Sequence, residues 1–292
     1  MKSISIISQN WESKPGKQLL IIRDFLKEYD GGNIKIDFSK FRYAPPLLAI
    51  YFTKVINDNK GCEIIPNSDT SYLQSIKFLE GFSNESVDNW SEYLNSFSAK
   101  NYLPIIKFNT DKSNSHTQIR NNLISHIGRM IKQITNIPMN YYMALSYLLS
   151  ELTDNIVDHS KNEYGWISFQ YYPTEGFMDI CMADSGIGIL GSYQNYAGEK
   201  DYSSIKTHLD AVETMVKGGS TKSNKERGFG VHTSREMLID GLKGTFVFLS
   251  GNALLINYDL FDFKVNSTGT LVLLRIPALN HNTNFSIYSY TE

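Results

Sequence analysis

The amino-acid sequence predicts a mixed α/β (α+β) protein in two parts, and three patterns carry that prediction. Residues 1–105 alternate short period-2 apolar stretches with stretches of helical period. Residues 119–159 hold two amphipathic helices in succession. Apolar stretches of strand length, bounded by turn signals, recur at 165–183 and 245–276. Such an order belongs to packed layers of sheet and helix. At about 100–200 residues per domain, a chain of 292 residues suits two domains.

Taken in order, NIKIDF (33–38) alternates apolar and polar residues after the turn signal Asp30-Gly31-Gly32, and reads as a strand. A loop through Pro45-Pro46 leads to LLAIYFTKVIND, whose apolar residues fall at helical spacing. GCEIIP is a second short strand, and SYLQSIKFLEGF resumes the helical period until a glycine. This small α/β unit is expected to end near residue 105. The polar stretch 106–117, IKFNTDKSNSHT, lacks apolar periodicity and is expected to be a linker.

Ile119, Leu123, Ile127, Met130 and Ile134 then form one helical stripe, and Ile137-Pro138 interrupts it. A second helix is expected from about Tyr141 to His159, with Tyr142, Leu145, Leu149, Leu152 and Ile156 as its buried stripe. Strands at 165–172 and 177–183 flank the turn Pro173-Thr174-Glu175-Gly176. The long polar segment 189–227 carries glycines and little β pattern and is too long for a plain connection, so it is expected to be a lid, a binding loop or disordered, within a second domain spanning 118–277. A helix near 231–240 and strands near 245–250, 253–258 and 270–276 complete that domain, and 278–292 reads as a tail.

Charge and composition exclude several classes. With 28 Lys+Arg against 30 Asp+Glu, the formal net charge is −2, so no global electrostatic case exists for nucleic acid or an anionic membrane. The two cysteines, Cys62 and Cys181, form no framework and no C-x-x-C pair, which suits a reducing compartment. The N-terminus lacks a signal-peptide stretch, and no run reaches the roughly 18 apolar residues of a membrane span. These features predict a cytoplasmic protein. The 18 tyrosines and 16 phenylalanines fall mainly inside periodic segments, as core rather than as a base-stacking platform. No P-loop, nucleophile elbow, H-E-x-x-H or kinase H-R-D set occurs.

Three segments carry chemistry. In the second long helix, Glu151, Asn155 and Asp158 lie at i, i+4 and i+7 on one face beside the buried stripe. A carboxamide oxygen can hold Mg²⁺ at a phosphate chain, and a carboxylate one turn away can take a proton from water. A solvated helix face gives the same spacing. Cys181-Met182-Ala183-Asp184-Ser185-Gly186-Ile187-Gly188 puts an acid and two glycines where a strand hands over to a loop. Backbone can approach a ligand closely there, and the carboxylate can accept from an exocyclic amine; a plain turn is the alternative. Lys217-Gly218-Gly219-Ser220-Thr221-Lys222, then Arg227-Gly228-Phe229-Gly230-Val231 opening a helix, offers the hydroxyls, lysines and free amides of a phosphate cradle.

In this order and spacing, ELTDNIVDHS, DSGIGI and RGFGVHTSREML resemble the N, G1 and G2 boxes of the GHKL (histidine kinase-like, Bergerat-fold) ATPase superfamily over roughly residues 120–277. The resemblance implies a mixed sheet backed by helices on one face, with ATP and Mg²⁺ between sheet and lid. It implies Glu151 as general base, Asn155 as the magnesium-holding residue, and Asp184 as the reader of the adenine amine. Gly186 and Gly188 match the G1 glycines, and Gly228 and Gly230 the G2 glycines flanking Phe229. Ser220, Thr221 and Lys222 are similar to the S-T-K stretch of kinase-like members, Gly269-Thr270 to the late G-T element, and His159 to a histidine that often follows the N box. His126 is followed by Ile127, Gly128 and Arg129 rather than an acid, which speaks against a phosphoacceptor helix.

The N-terminal unit resembles a STAS domain over about 30–85, through IKIDFSKFRYAPP. Ala44-Pro45-Pro46 stands where phosphorylated members begin a helix with serine, and Ser39 lies too early, so that switch is not expected. An unrelated α/β docking module is the alternative. The function expected is a slow ATPase acting as a nucleotide-driven switch on a protein partner or a second copy of the chain. A serine protein kinase of the anti-sigma-factor type acting on a STAS-like partner and a nucleotide-holding scaffold without turnover are the alternatives.

Overall fold

The structure, a computed structural model, describes residues 2–7, 14–29, 31–59, 61–67, 71–219, 221, 230–279, 281–282 and 284–291. The N-terminal module runs β1 (Lys2–Ser5), α1 (Pro15–Glu28), β2 (Ile34–Asp37), α2 (Pro46–Asp58) and β3 (Glu63–Ile65). Its three strands are parallel in the order β1-β2-β3, which requires a helical crossover between each pair. In α2 every residue from Pro46 to Val55 is buried. A helix apolar all round needs partners on more than one side, and α2 finds its second partner in the rest of the chain.

After the short α3 (Ser71–Ser75), the chain enters a six-stranded mixed sheet of order β4-β5-β6-β7-β9-β8. Its strands are β4 (Phe82–Ser83), β5 (Ile106–Asn109), β6 (Tyr164–Tyr172), β7 (Phe177–Asp184), β8 (Thr245–Ile256) and β9 (Asp259–Pro277). The β4–β5 pair is parallel and the others are antiparallel. Between them lie α4 (Trp90–Asn95), α5 (Asn114–Thr135), α6 (Met139–His159), α7 (Gly188–Gln194), α8 (His208–Val216) and α9 (Gly230–Glu236). The last runs into a single π turn at Met237–Gly241, and α10 (Tyr288–Thr291) closes the chain. The protein is therefore α+β, as its patterning predicts.

Strand alternation sorts the sheet into two buried faces. Met178, Ile180, Met182, Phe246, Phe248, Val272 and Leu274 join the core built on Leu123, Ile127, Leu145, Leu149 and Leu152 of α5 and α6. Their neighbours Cys181, Ala183, Val247, Leu249, Leu271 and Leu273 join the core of the N-terminal module, with Ile22, Ile36, Leu48 and Phe52. The order is helices, large sheet, α1 and α2, small sheet. The long β8–β9 hairpin extends past a register shift at Gly251 and adds Leu254 and Phe263 to the module's core.

Several sequence expectations need correction. Ile106–Asn109, expected as linker, is strand β5, with Ile106 and Phe108 buried; four residues give alternation too little length to stand out from the polar run after them. Residues 82–109 thus belong to the large sheet, and the boundary near 105 falls inside it. The helix expected over 71–82 stops at Ser75, because Lys77 and Leu79 turn left-handed at φ 56° and 69°. The chain then bonds outward, Ile105 N–H to Ile76 O at 2.8 Å and Leu79 N–H to Thr53 Oγ1 at 3.0 Å. Ile119 is 40% exposed, and Ile124 and Ile131 share the α5 stripe instead. In α6 it is Tyr141, not the half-buried Tyr142, that is buried. The segment expected as a tail docks: Asn282 N–H donates to Tyr141 Oη at 2.7 Å, and Phe285 is buried.

Candidate functional site

The buried stripe of α6 faces the sheet and turns Glu151 and Asn155, both half-buried, along its flank. Gly230, the first residue of α9, lies against them. A Cβ there would sit 3.9 Å from Glu151 Oε2 and 3.9 Å from both side-chain heteroatoms of Asn155. Residues 75 or more apart in sequence are thereby in contact range. Asn155 Nδ2 is buried and makes no hydrogen bond among the described residues. Asp158, the third residue of the expected face, points elsewhere: it is exposed and pairs with Lys112 at 3.0 Å.

Asp184 ends β7 and is 2% exposed. Its Oδ1 accepts from Gly186 N–H at 2.7 Å, and its Oδ2 accepts from the hydroxyl of Thr270, its cross-strand partner on β9. Burial pushes its pKa above the usual carboxylate range, and the Thr270 hydroxyl, the Gly186 N–H and the Lys54 charge oppose that push. The turn after Asp184 is stitched to the end of α6 by Ile187 N–H to Ser160 O at 2.9 Å. A side chain at Gly186 would put its Cβ 1.8 Å from Ser160 O, and Gly188 sits at φ 66°, so both positions demand glycine. Ser250 Oγ of β8 accepts from Ile189 N–H at 3.1 Å, seating α7 on the sheet.

The stretch 189–227, where no helix is expected from the sequence, carries most of α7 and all of α8 in its described part. Thr207 and Asp210 make a reciprocal capping box at the start of α8, with Asp210 N–H to Thr207 Oγ1 at 3.1 Å and Thr207 N–H to Asp210 Oδ2 at 3.0 Å. That T-x-x-D was a helix-start signal in the sequence. Beyond α8, Tyr193 Oη donates to Gly219 O at 2.7 Å, Thr221 Oγ1 lies 3.2 Å from His159 Nδ1, and His232 Nδ1 lies 2.8 Å from Val216 O. These contacts tie the segment to α6, α7 and α9. Tyr193 stands in no motif and His232, inside RGFGVHTSREML, matches none of its glycines; each acts on a backbone carbonyl that only the fold brings near.

Between these elements lies a cleft. Asn155, Asp184, Gly188, Thr221 and Gly230 all line it, and Met182, Phe248 and Val272 make an apolar floor from the helix-backed face of the sheet. Of the other candidate residues, Gly186 shapes the turn and Glu151 flanks Gly230. Ser220, Lys222, Gly228 and Phe229 lie outside the described residues. One end of the cleft offers a buried acceptor beside apolar walls, suited to a flat ring with an exocyclic donor. Near Gly230 the lining carboxamide of Asn155 is joined by the carboxylate of Glu151, one helical turn back on α6 and beside the same glycine. Among the described residues no three His, Cys, Asp or Glu side chains cluster as a metal site, and no helix is long and apolar enough to cross a membrane. No protein-family model matches the chain, and no curated protein matches it.

Proposed function

We propose that the cleft binds Mg²⁺-ATP and that the protein is a slow ATPase of the GHKL, Bergerat-fold type, working as a nucleotide-driven switch. The observation that carries this reading is the convergence of three segments far apart in sequence: Asn155, Asp184 with Gly188, and Gly230 line one cleft, and Glu151 stands beside Gly230. In this reading Asp184 accepts from the adenine amine, and Met182, Phe248 and Val272 exclude water around the ring. Asn155 would hold the metal. The carboxamide oxygen is the atom that can take a Mg²⁺ ion sharing its coordination with phosphate oxygens, and Nδ2, without a partner among the described residues, can donate to a phosphate oxygen. When bound, the ion neutralises charge on the phosphates. Glu151 orients the attacking water and takes its proton. Thr221 and the backbone around Gly218-Gly219 cover the cleft from the lid side.

The N-terminal module packs on the sheet face opposite the cleft floor, so the sheet stands between it and the proposed phosphate end. That arrangement favours hydrolysis over phosphorylation within the chain, and suits a switch whose output passes to a protein partner or second copy. The test is the fate of γ-labelled phosphate after incubation with Mg²⁺-ATP, with Glu151→Ala alongside. Free phosphate that disappears in the variant is the expected result. Label on protein would establish the kinase instead, and label remaining in ATP would leave a scaffold.

A further inference from the structure

We infer that Lys54, on helix α2 of the N-terminal module, is a positioning residue that sets the nucleotide specificity of Asp184 from the opposite side of the sheet. The inference rests on the adenine-nucleotide reading and adds a residue, and a domain, that no motif in the sequence assigns to the site. Lys54 is fully buried in a helix that is otherwise nearly all apolar. Lysine is almost never fully buried without compensation, because taking an ammonium out of water is costly.

The geometry supplies the compensation. Lys54 Nζ donates to Thr268 O on β9. Gly269 comes next, lying so close to β7 that a Cβ would meet Asp184 O at 2.0 Å, and then Thr270, whose hydroxyl donates to Asp184. Three consecutive residues therefore link the ammonium to the carboxylate. Asp184 is also the first of the charges that act on Lys54, ahead of Asp58 one turn along α2, and Lys54 is the cation acting on Asp184. Burial drives the pKa of Asp184 up and that of Lys54 down, and each charge holds the other against it. Lys54 adds its charge to the Thr270 hydroxyl and the backbone N–H groups that oppose burial, so its loss would shift Asp184 further toward the protonated acid. A carboxylic acid can donate as well as accept, so it would stop distinguishing the 6-amine of adenine from a 6-carbonyl. In this way α2 forms the far wall of the base-recognition site.

The test titrates the full chain with ATP and with inosine triphosphate, whose 6-position is a carbonyl, reading both affinities by calorimetry. Wild type, Lys54→Met, Lys54→Gln, Asp184→Asn and the Lys54→Met/Asp184→Asn double variant are compared. The expected result is a wild-type preference for ATP that falls on the order of tenfold in Lys54→Met, with no further fall when Asp184 is already Asn. Lys54→Gln keeps a donor for Thr268 O without the charge, stands in should the methionine variant not fold, and is expected to lose the preference equally. An intact ATP preference in a folded Lys54 variant, with both nucleotides weakened alike, would overturn the positioning role and leave the ATP reading standing. Wild type binding neither nucleotide, or both equally, would overturn the reading of Asp184 and this inference with it.

Discussion

Asp184 has both carboxylate oxygens engaged before any ligand arrives, one by Gly186 N–H and one by Thr270. Each oxygen keeps a lone pair, and the residue lines the cleft, so the group is held still and aimed. Asp184→Asn replaces one acceptor by a donor. It should weaken ATP by about 1.5–3 kcal/mol, or about 10- to 150-fold, in a binding titration. Glu151→Ala separates binding from chemistry: ATP affinity should hold while phosphate release falls by about 10²–10⁴. An Asp184→Asn chain that binds like wild type would move the nucleotide elsewhere. Gly186→Ala is the steric test. Its Cβ would lie 1.8 Å from Ser160 O, so the turn must open, and both melting temperature and ATP binding should drop.

At the scale of elements, α8 owes its start to the Thr207–Asp210 capping box, with no burial of Thr207 to reinforce it. Thr207→Ala should cost about 1 kcal/mol. The loss should appear as faster amide hydrogen exchange across 208–216, while α5 and α6 stay protected. Unchanged exchange there would mean that Ala211, Val212 and Met215, all buried, hold α8 without its cap. The box is legible as T-x-x-D, and HLDAVETMV carries apolar residues at helical spacing behind it. Polar and glycine-rich neighbours on both sides hide a nine-residue helix from a window that averages over them. The same averaging hides β5. α5 and α6, at 22 and 21 residues, are long enough for their period to dominate.

For the whole molecule, the N-terminal module is a structural layer. Removing residues 1–80 would bare Cys181, Val247, Leu249, Leu271 and Leu273, each at most 1% exposed. A buried Val or Leu contributes about 1.5–3 kcal/mol, and an apolar sheet face open to water is an association surface. A chain beginning at residue 81 should therefore aggregate, which light scattering would record; a monodisperse, folded product would contradict the layered core. Acid is a second global lever. Burial lowers the pKa of His126, His208 and His281, so each binds protons more readily when unfolded. Their contribution to stability is complete above the ordinary histidine value of about 6.5 and is lost as pH falls through their lowered values. The melting temperature should fall between pH 7.5 and pH 5, and His208→Gln should remove part of that dependence.

Periodicity and local chemistry determined much of this protein from sequence. They determined the α+β class, the long helices and the strand pair at 164–184, because each depends on residues within a few positions of one another. The motif residues were legible for the same reason: Glu151 and Asn155 are one helical turn apart, and Asp184, Gly186 and Gly188 share one turn. Only the tertiary structure decided which of them meet, because β6, β7, α7 and α8 lie between Asn155 and Gly230 in the sequence. It alone decided that α2 is shared between two sheets and that Lys54 lies behind Asp184. Sequence records what each stretch can bury, but the partner that completes the burial lies 130 residues away, and no local pattern encodes that distance.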